Sequence, residues 1–151
     1  MKLSKYFPDS AVITQTEAAD WREAIELSGA GLVDQGATTA QYTAEMITAL
    51  EDLGPYIVIA PGFALAHSRP SPAVLRTAMS FVSLKRGVEF GSDLNDPVDL
   101  VIGLAATDQG SHLEVMSALA RILSDTEVMA KLREASSAQQ VREILDSAAA
   151  E

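Results

Sequence analysis

No cysteine occurs among the 151 residues, which excludes disulfides and thiol chemistry. Basic residues are few: 11 Lys and Arg against 21 Asp and Glu leave a formal net charge of -10. Such a surface repels nucleic acid and anionic lipid, so neither is expected as a partner, and it suits steering toward a basic protein. Long apolar runs are also missing. The longest, Tyr56 to Ala66, is interrupted by Pro61 and Gly62, whereas a membrane-spanning helix needs roughly 20 apolar residues. The opening MKLSKYFPDS carries two lysines with no apolar stretch behind them and does not read as a signal peptide. A soluble, cytoplasmic protein without direct membrane insertion is expected.

Several functional motifs are absent as well. There is no GxxxxGK[ST] phosphate loop, no HExxH and no GxSxG around Ser80, Ser83 or Ser92. Gly29-Ala30-Gly31 lacks the third glycine of a dinucleotide loop, since Asp34 stands in its place. With only two histidines, far apart in the chain, a zinc set is poor. No metal, nucleotide or other cofactor is expected.

What is present is a hydrophobic content of 48 %, enough for a real core. No fixed-period repeat, charge block or low-complexity linker divides the chain, so residues 1–151 are expected to form a single domain. Ala11-Val12-Ile13 is a short strand candidate. Asp20-Trp21-Arg22-Glu23 has capping-box spacing, and apolar residues from Trp21 to Val33 follow a helical period, weakened by Gly29 and Gly31. A second helix is predicted from Ala40 to Leu53, facing inward with Tyr42, Met46, Ile47 and Leu50, and stopped by Gly54-Pro55. Tyr56 to Ala60 is apolar throughout and reads as a strand covered on both faces. Phe63–Ala66, Thr77–Leu84 and Leu100–Ala106 are further strand candidates. Past Gly110 the pattern turns helical. Ser111-His112-Leu113-Glu114 forms a capping box, with Leu113, Met116, Leu119, Ala120 and Leu123 as the buried stripe behind it. Ser124 and Ser137 open two more boxes, the second ahead of Val141, Ile144 and Leu145. This order predicts an α/β fold, a mixed β-sheet flanked by helices.

Both histidines fall at element boundaries. His67 follows a buried-looking strand and precedes a proline-rich loop. A neutral imidazole keeps a nitrogen lone pair near pH 7, so it can act as a nucleophile. His112 lies at a predicted helix start, where unpaired backbone N–H groups and a partial positive charge favour a phosphate. Ser111 belongs to the same turn, and Ser68 and Arg69 add a hydroxyl and a guanidinium beside His67. Nucleophile, anion site and cation together suggest phosphoryl transfer. The residue types alone leave the plain reading open: a loop histidine is commonly a solvated side chain, and Ser111 to Glu114 is first of all a helix cap. Asp96, Asp99 and Asp108 read as turn and loop acids. The methionines and aromatics, at helical or strand spacing, read as core.

The stretch from Gly54 to Pro70, GPYIVIAPGFALAHSRP, resembles the phosphorylation-site region of enzyme IIA of the mannitol–fructose superfamily in bacterial sugar phosphotransferase systems. Within that superfamily it is most similar to the ascorbate-type branch, which typically shows a GPYIVIAPGIALPHARP-like stretch. A second match is NDPVDLVIGLAA, Asn95 to Ala106, followed by Ser111 to Glu114; the likeness runs on to about Leu145. The resemblance implies that His67 accepts a phosphoryl group from the phosphocarrier protein HPr and passes it to enzyme IIB, with the membrane enzyme IIC downstream. It implies that His112 supports the phosphoryl site, and it implies a mixed sheet flanked by helices on both faces. Two positions depart from the family pattern: Ala66 replaces the usual proline and Ser68 a common alanine or glycine. The mannitol branch also carries an arginine where Glu51-Asp52-Leu53 stands here, which favours the ascorbate-like branch. A phosphorylation-responsive regulatory module of the same fold is the alternative.

Overall fold

The computed structural model describes residues 3–149, without the side chains of Gln109, Ser111, His112 and Ala149. Two short 3-10 turns, Leu3–Tyr6 and Asp9–Ala11, lead into β1 (Val12–Thr16). Helices α1 (Trp21–Asp34) and α2 (Ala40–Leu53) follow, then β2 (Val58–Ala60), β3 (Phe63–Ala66), β4 (Ala78–Val88) and β5 (Val98–Ala105). Helices α3 (Gln109–Leu123), α4 (Thr126–Glu134) and α5 (Ala138–Ala149) complete the described chain. The five strands form one sheet in the order β1-β4-β5-β3-β2. Strands β1 and β4 run parallel, as do β3 and β5, while β4–β5 and β2–β3 are antiparallel. The sheet is mixed, as expected.

Each face of the sheet carries its own core, because strand residues alternate sides. Phe63, Leu65, Phe81, Leu100, Ile102 and Leu104 pack against Val115, Leu119, Ile122, Leu132, Val141 and Leu145 of α3, α4 and α5. Burying one such side chain fully contributes about 1.5–3 kcal/mol. The opposite face uses smaller residues, Ala64, Ala66, Ala78, Val101 and Ala105, under Ile25, Leu32, Tyr42 and Met46 of α1 and α2. That economy lets the helices sit close. A Cβ on Gly29 would lie 2.1 Å from Thr43 Oγ1, and one on Gly103 would lie 2.3 Å from Ser28 Oγ. The glycine that looks like a helix weakness in the sequence is therefore where α1 meets α2.

Asp20 caps α1 by accepting from Glu23 N–H, as its box predicts. Gly54 closes α2, with a φ of 81° and its N–H donated to Leu50 O. Four expectations are corrected. Tyr56 to Ala60 is not a strand covered on both faces: Tyr56 and Ile57 form a turn, and the short β2 lies at the sheet edge with Ile59 exposed. The turn consumes the first two residues because Val58 N–H donates back to Pro55 O. Helix α3 begins at Gln109, so Ser111 is inside the first turn and is not its cap. The buried stripe of α3 is Val115, Leu119 and Ile122; Leu113 is 66 % exposed and Ala120 also faces out. Eight apolar residues in this helix permit two helical phases, and α4 and α5 select one. The α4 cap is Asp125, accepting from Glu127 and Val128 N–H, and not the neighbouring Ser124.

Candidate active site

All four residues of β3 are buried, and the chain leaves the sheet at His67, which is half-buried. Strands β3 and β5 are paired in parallel from Phe63 with Leu100 to Ala66 with Gly103, so their carboxyl ends reach the same rim. Beyond Ala105 the chain passes through Ala106, Thr107 and Asp108 into α3, which therefore starts from the rim that carries His67. Open α/β sheets bind ligands at such a place, outside the carboxyl ends of parallel strands. Ser111 and His112 fall in the first turn of α3; their side chains lie outside the described residues.

The imidazole of His67 is oriented by its own strand. Its Nδ1 lies 2.7 Å from Leu65 O. A carbonyl oxygen only accepts, so Nδ1 carries the proton, which in the neutral ring leaves the lone pair on Nε2. The Tyr56 ring stands edge-on to the imidazole, with centroids 5.4 Å apart and planes at 78°. The Tyr56 hydroxyl donates to His67 O at 2.8 Å. Burial pushes the Tyr56 phenol up from its ordinary value, so it stays protonated through the neutral range.

The next residue is held from below. Ser68 N–H donates to Tyr42 Oη at 3.0 Å, and the Tyr42 hydroxyl donates to Leu104 O at 2.8 Å. Tyr42 thus bridges the chain leaving β3 and the end of β5. It is fully buried, and desolvation, partly offset by its hydrogen bond with Ser68, pushes its pKa up to about 12. Further along, Ser71 donates to Glu45 Oε1 at 2.6 Å and accepts from Ala73 N–H at 3.2 Å, which ties the loop to α2.

A cleft of about 510 Å3 opens over this loop. Its walls are Ala49, Asp52 and Leu53 near the end of α2, Tyr56, His67 to Pro70, and Leu104 with Ala106. The structure so brings together three residues singled out in the sequence: His67, Ser68 and the exposed Arg69. Tyr42 and Tyr56 read as core and strand in the sequence. The available signal was chemical: a tyrosine placed among aliphatic residues brings a hydroxyl that needs a partner when buried. Asp96 and Asp99 belong to the other end of β5. Asp96 accepts from the N–H groups of Phe90, Gly91 and Ser92, and Asp99 pairs with Arg133 at 2.8 Å. Among the described residues, no group of three His, Cys, Asp or Glu side chains could hold a metal ion.

Residues 5–148 match the family model described as "Phosphoenolpyruvate-dependent sugar phosphotransferase system, EIIA 2". The mannitol-specific cryptic phosphotransferase enzyme IIA component of Escherichia coli is 38 % identical over 146 residues, covering 96 % of this chain and 98 % of that protein. The solution structure of that enzyme IIA superimposes with a TM-score of 0.87, over 97 % of this chain and 99 % of the other. The ascorbate-specific PTS system EIIA component of Escherichia coli is 36 % identical over 139 residues, 91 % of this chain and 90 % of its own length. A complex of enzyme IIAMTL with phosphorylated enzyme IIBMTL from Escherichia coli contains a chain 29 % identical, with a TM-score of 0.81, covering 93 % of this protein and 99 % of that chain. Mannitol-type and ascorbate-specific proteins thus both stand among the relatives, and what they share with this chain is the fold and the phosphoryl relay. The chain belongs to the EIIA 2 family of the phosphoenolpyruvate-dependent sugar phosphotransferase system, as an enzyme IIA phosphotransferase component.

Proposed function

We propose that His67 is the phosphoryl carrier and that Nε2 is the nitrogen that carries the group. The observation that supports this most is the 2.7 Å contact between Nδ1 and Leu65 O, at a strand end that lines an open cleft. With Nδ1 protonated, the Nε2 lone pair attacks the phosphorus of the phosphohistidine on HPr. The P–N bond to the donor breaks, and its electron pair returns to the donor ring. His67 then holds the phosphoryl on Nε2, with Nδ1–H still on Leu65 O. Transfer to enzyme IIB repeats the step with His67 as the leaving group. Charge spreads over the equatorial oxygens in the transition state, so fixed donors matter more than acid–base chemistry. Ser68, Arg69, His112, Ser111 and the α3 amino end supply them in this reading.

The chain acts as a single enzyme IIA domain in the cytoplasm, where HPr and enzyme IIB dock in turn on the cleft, and enzyme IIC is reached only indirectly. No helix among the described residues is long and apolar enough to cross a membrane. We assign the acceptor to an ascorbate-type enzyme IIB. The GPYIVIAP stretch and the absence of an arginine at Glu51-Asp52-Leu53 support that assignment. The 38 % identity to a mannitol-type protein supports the competing one.

The test incubates the protein with phosphoenolpyruvate, enzyme I and HPr. One acid-labile, base-stable phosphate per chain is expected, and His67→Ala removes it. The labelled protein is then offered to ascorbate-type and mannitol-type enzyme IIB, with faster transfer expected to the first. Full labelling of His67→Ala would refute the site. Preferential transfer to the mannitol-type protein would reassign the sugar. Label retained against both would favour a regulatory module.

A further inference from the structure

We infer that Tyr56 is a positioning residue for the phosphoryl-carrying imidazole, fixing the plane of the His67 ring from the lip of the cleft. The inference rests on His67 being the carrier. The hydrogen bond from Nδ1 to Leu65 O fixes one atom of the ring, and it alone leaves the imidazole able to rock about that contact. A contact out of line with this one narrows the trajectory of Nε2. The Tyr56 ring provides it, at 5.4 Å between centroids and 78° between planes. Edge-on packing of this kind is a preferred arrangement of two rings.

Tyr56 also restrains the backbone. Its hydroxyl donates to His67 O at 2.8 Å, so ring and main chain of one residue are both held by one side chain. That restraint has a task here, because Ala66 precedes His67 and leaves φ free of any proline ring. Tyr56 is itself seated firmly. Its N–H donates to Gly54 O at 2.8 Å, and the flanking residues are tied by Val58 N–H to Pro55 O and Leu65 N–H to Ile57 O. The turn that removes Tyr56 from the edge strand is what brings its side chain to the imidazole. With 38 % exposure and a place in the cleft wall, it reaches the site without being part of the core.

Phosphoryl transfer depends on in-line geometry, and small misplacements of a reacting atom are costly. Tyr56→Leu, which removes ring and hydroxyl, is expected to slow phosphorylation by phospho-HPr about 10- to 100-fold. Tyr56→Phe keeps the ring and is expected within about 3-fold of the unmodified protein, since one exposed hydrogen bond is lost. Long-range 1H–15N spectra of the imidazole separate positioning from mere stability: the parent and Tyr56→Phe should show the Nδ1–H tautomer, and Tyr56→Leu a mixture. Amide spectra establish folding, and Tyr56→Met replaces any leucine variant that fails to fold. A folded Tyr56→Leu or Tyr56→Met protein with unchanged rate and an unchanged imidazole spectrum would overturn the inference. A slow variant with an unchanged tautomer would also overturn it, by placing the effect elsewhere. Labelling of the parent and of His67→Ala is run alongside. If His67→Ala takes up label, the carrier assignment fails; if only the Tyr56 variants behave like the parent, the positioning role alone fails.

Discussion

Removing one oxygen from the core by Tyr42→Phe should destabilise the protein at neutral pH and change how it responds to alkali. The hydroxyl donates to Leu104 O and accepts from Ser68 N–H, and the side chain is fully buried. A net hydrogen bond contributes about 1 kcal/mol, and a buried group left without its partner costs about 1–3 kcal/mol. The expected loss is about 2–3 kcal/mol at pH 7, or a Tm lower by about 5–10 °C for a chain of this size. The alkaline response follows from the phenol pKa, which the fold raises from its ordinary 10 to about 12. The folded state holds this proton more tightly than the unfolded state. The stabilisation is fully present below pH 10 and is lost as pH rises toward 12. At pH 11 the parent has lost about 1.4 kcal/mol through Tyr42, whereas the variant has nothing to lose there. Tyr56 is present in both proteins, so the effect of its own burial is common to the two. Denaturant titrations of both at pH 8 and pH 11 should show the stability gap narrowing by that amount. A gap unchanged with pH, or a variant as stable as the parent at pH 8, would refute the bridging role of the hydroxyl.

Other consequences are simpler to read. Gly103→Ala drives a methyl to 2.3 Å from Ser28 Oγ and 2.4 Å from Ser80 Oγ; overpacking here should cost about 1–3 kcal/mol in a denaturant titration. Leu113→Ser should leave Tm within about 1 °C, since the side chain is 66 % exposed; a large drop would restore Leu113 to the core stripe. Asp96→Ala strips the acceptor from three N–H groups, those of Phe90, Gly91 and Ser92. It should lower stability by about 1–3 kcal/mol, with His67 labelling unchanged because that loop is at the far end of β5.

The sequence was most legible where a pattern has one solution. The α2 boundaries follow from an apolar face and a glycine-proline stop, and they agree with the observed Ala40–Leu53. The position of His67 at a strand end follows from the buried run Phe63 to Ala66. It was least legible where partners decide. A strand of apolar residues looks the same at an edge as in the middle, so the exposure of Ile59 depends on β2 having a neighbour on one side only. The phase of α3 depends on which of several apolar residues meets α4 and α5. The two tyrosines carried no motif, because their work is done by hydroxyls on backbone groups that are distant in sequence: 11 residues for Tyr56 and His67, 62 for Tyr42 and Leu104. The nitrogen that carries the lone pair could not be read from a residue name at all; it depends on a carbonyl two residues back along the same strand.

The central claim is a specific bond, between phosphorus and Nε2 of His67, and NMR of the 15N-labelled, phosphorylated protein reads it directly. The account predicts phosphorus coupling to Nε2 of a single imidazole, absent from His67→Ala, with Nδ1 still protonated toward Leu65. Coupling to Nδ1 of His67, or to a nitrogen of His112, would contradict it.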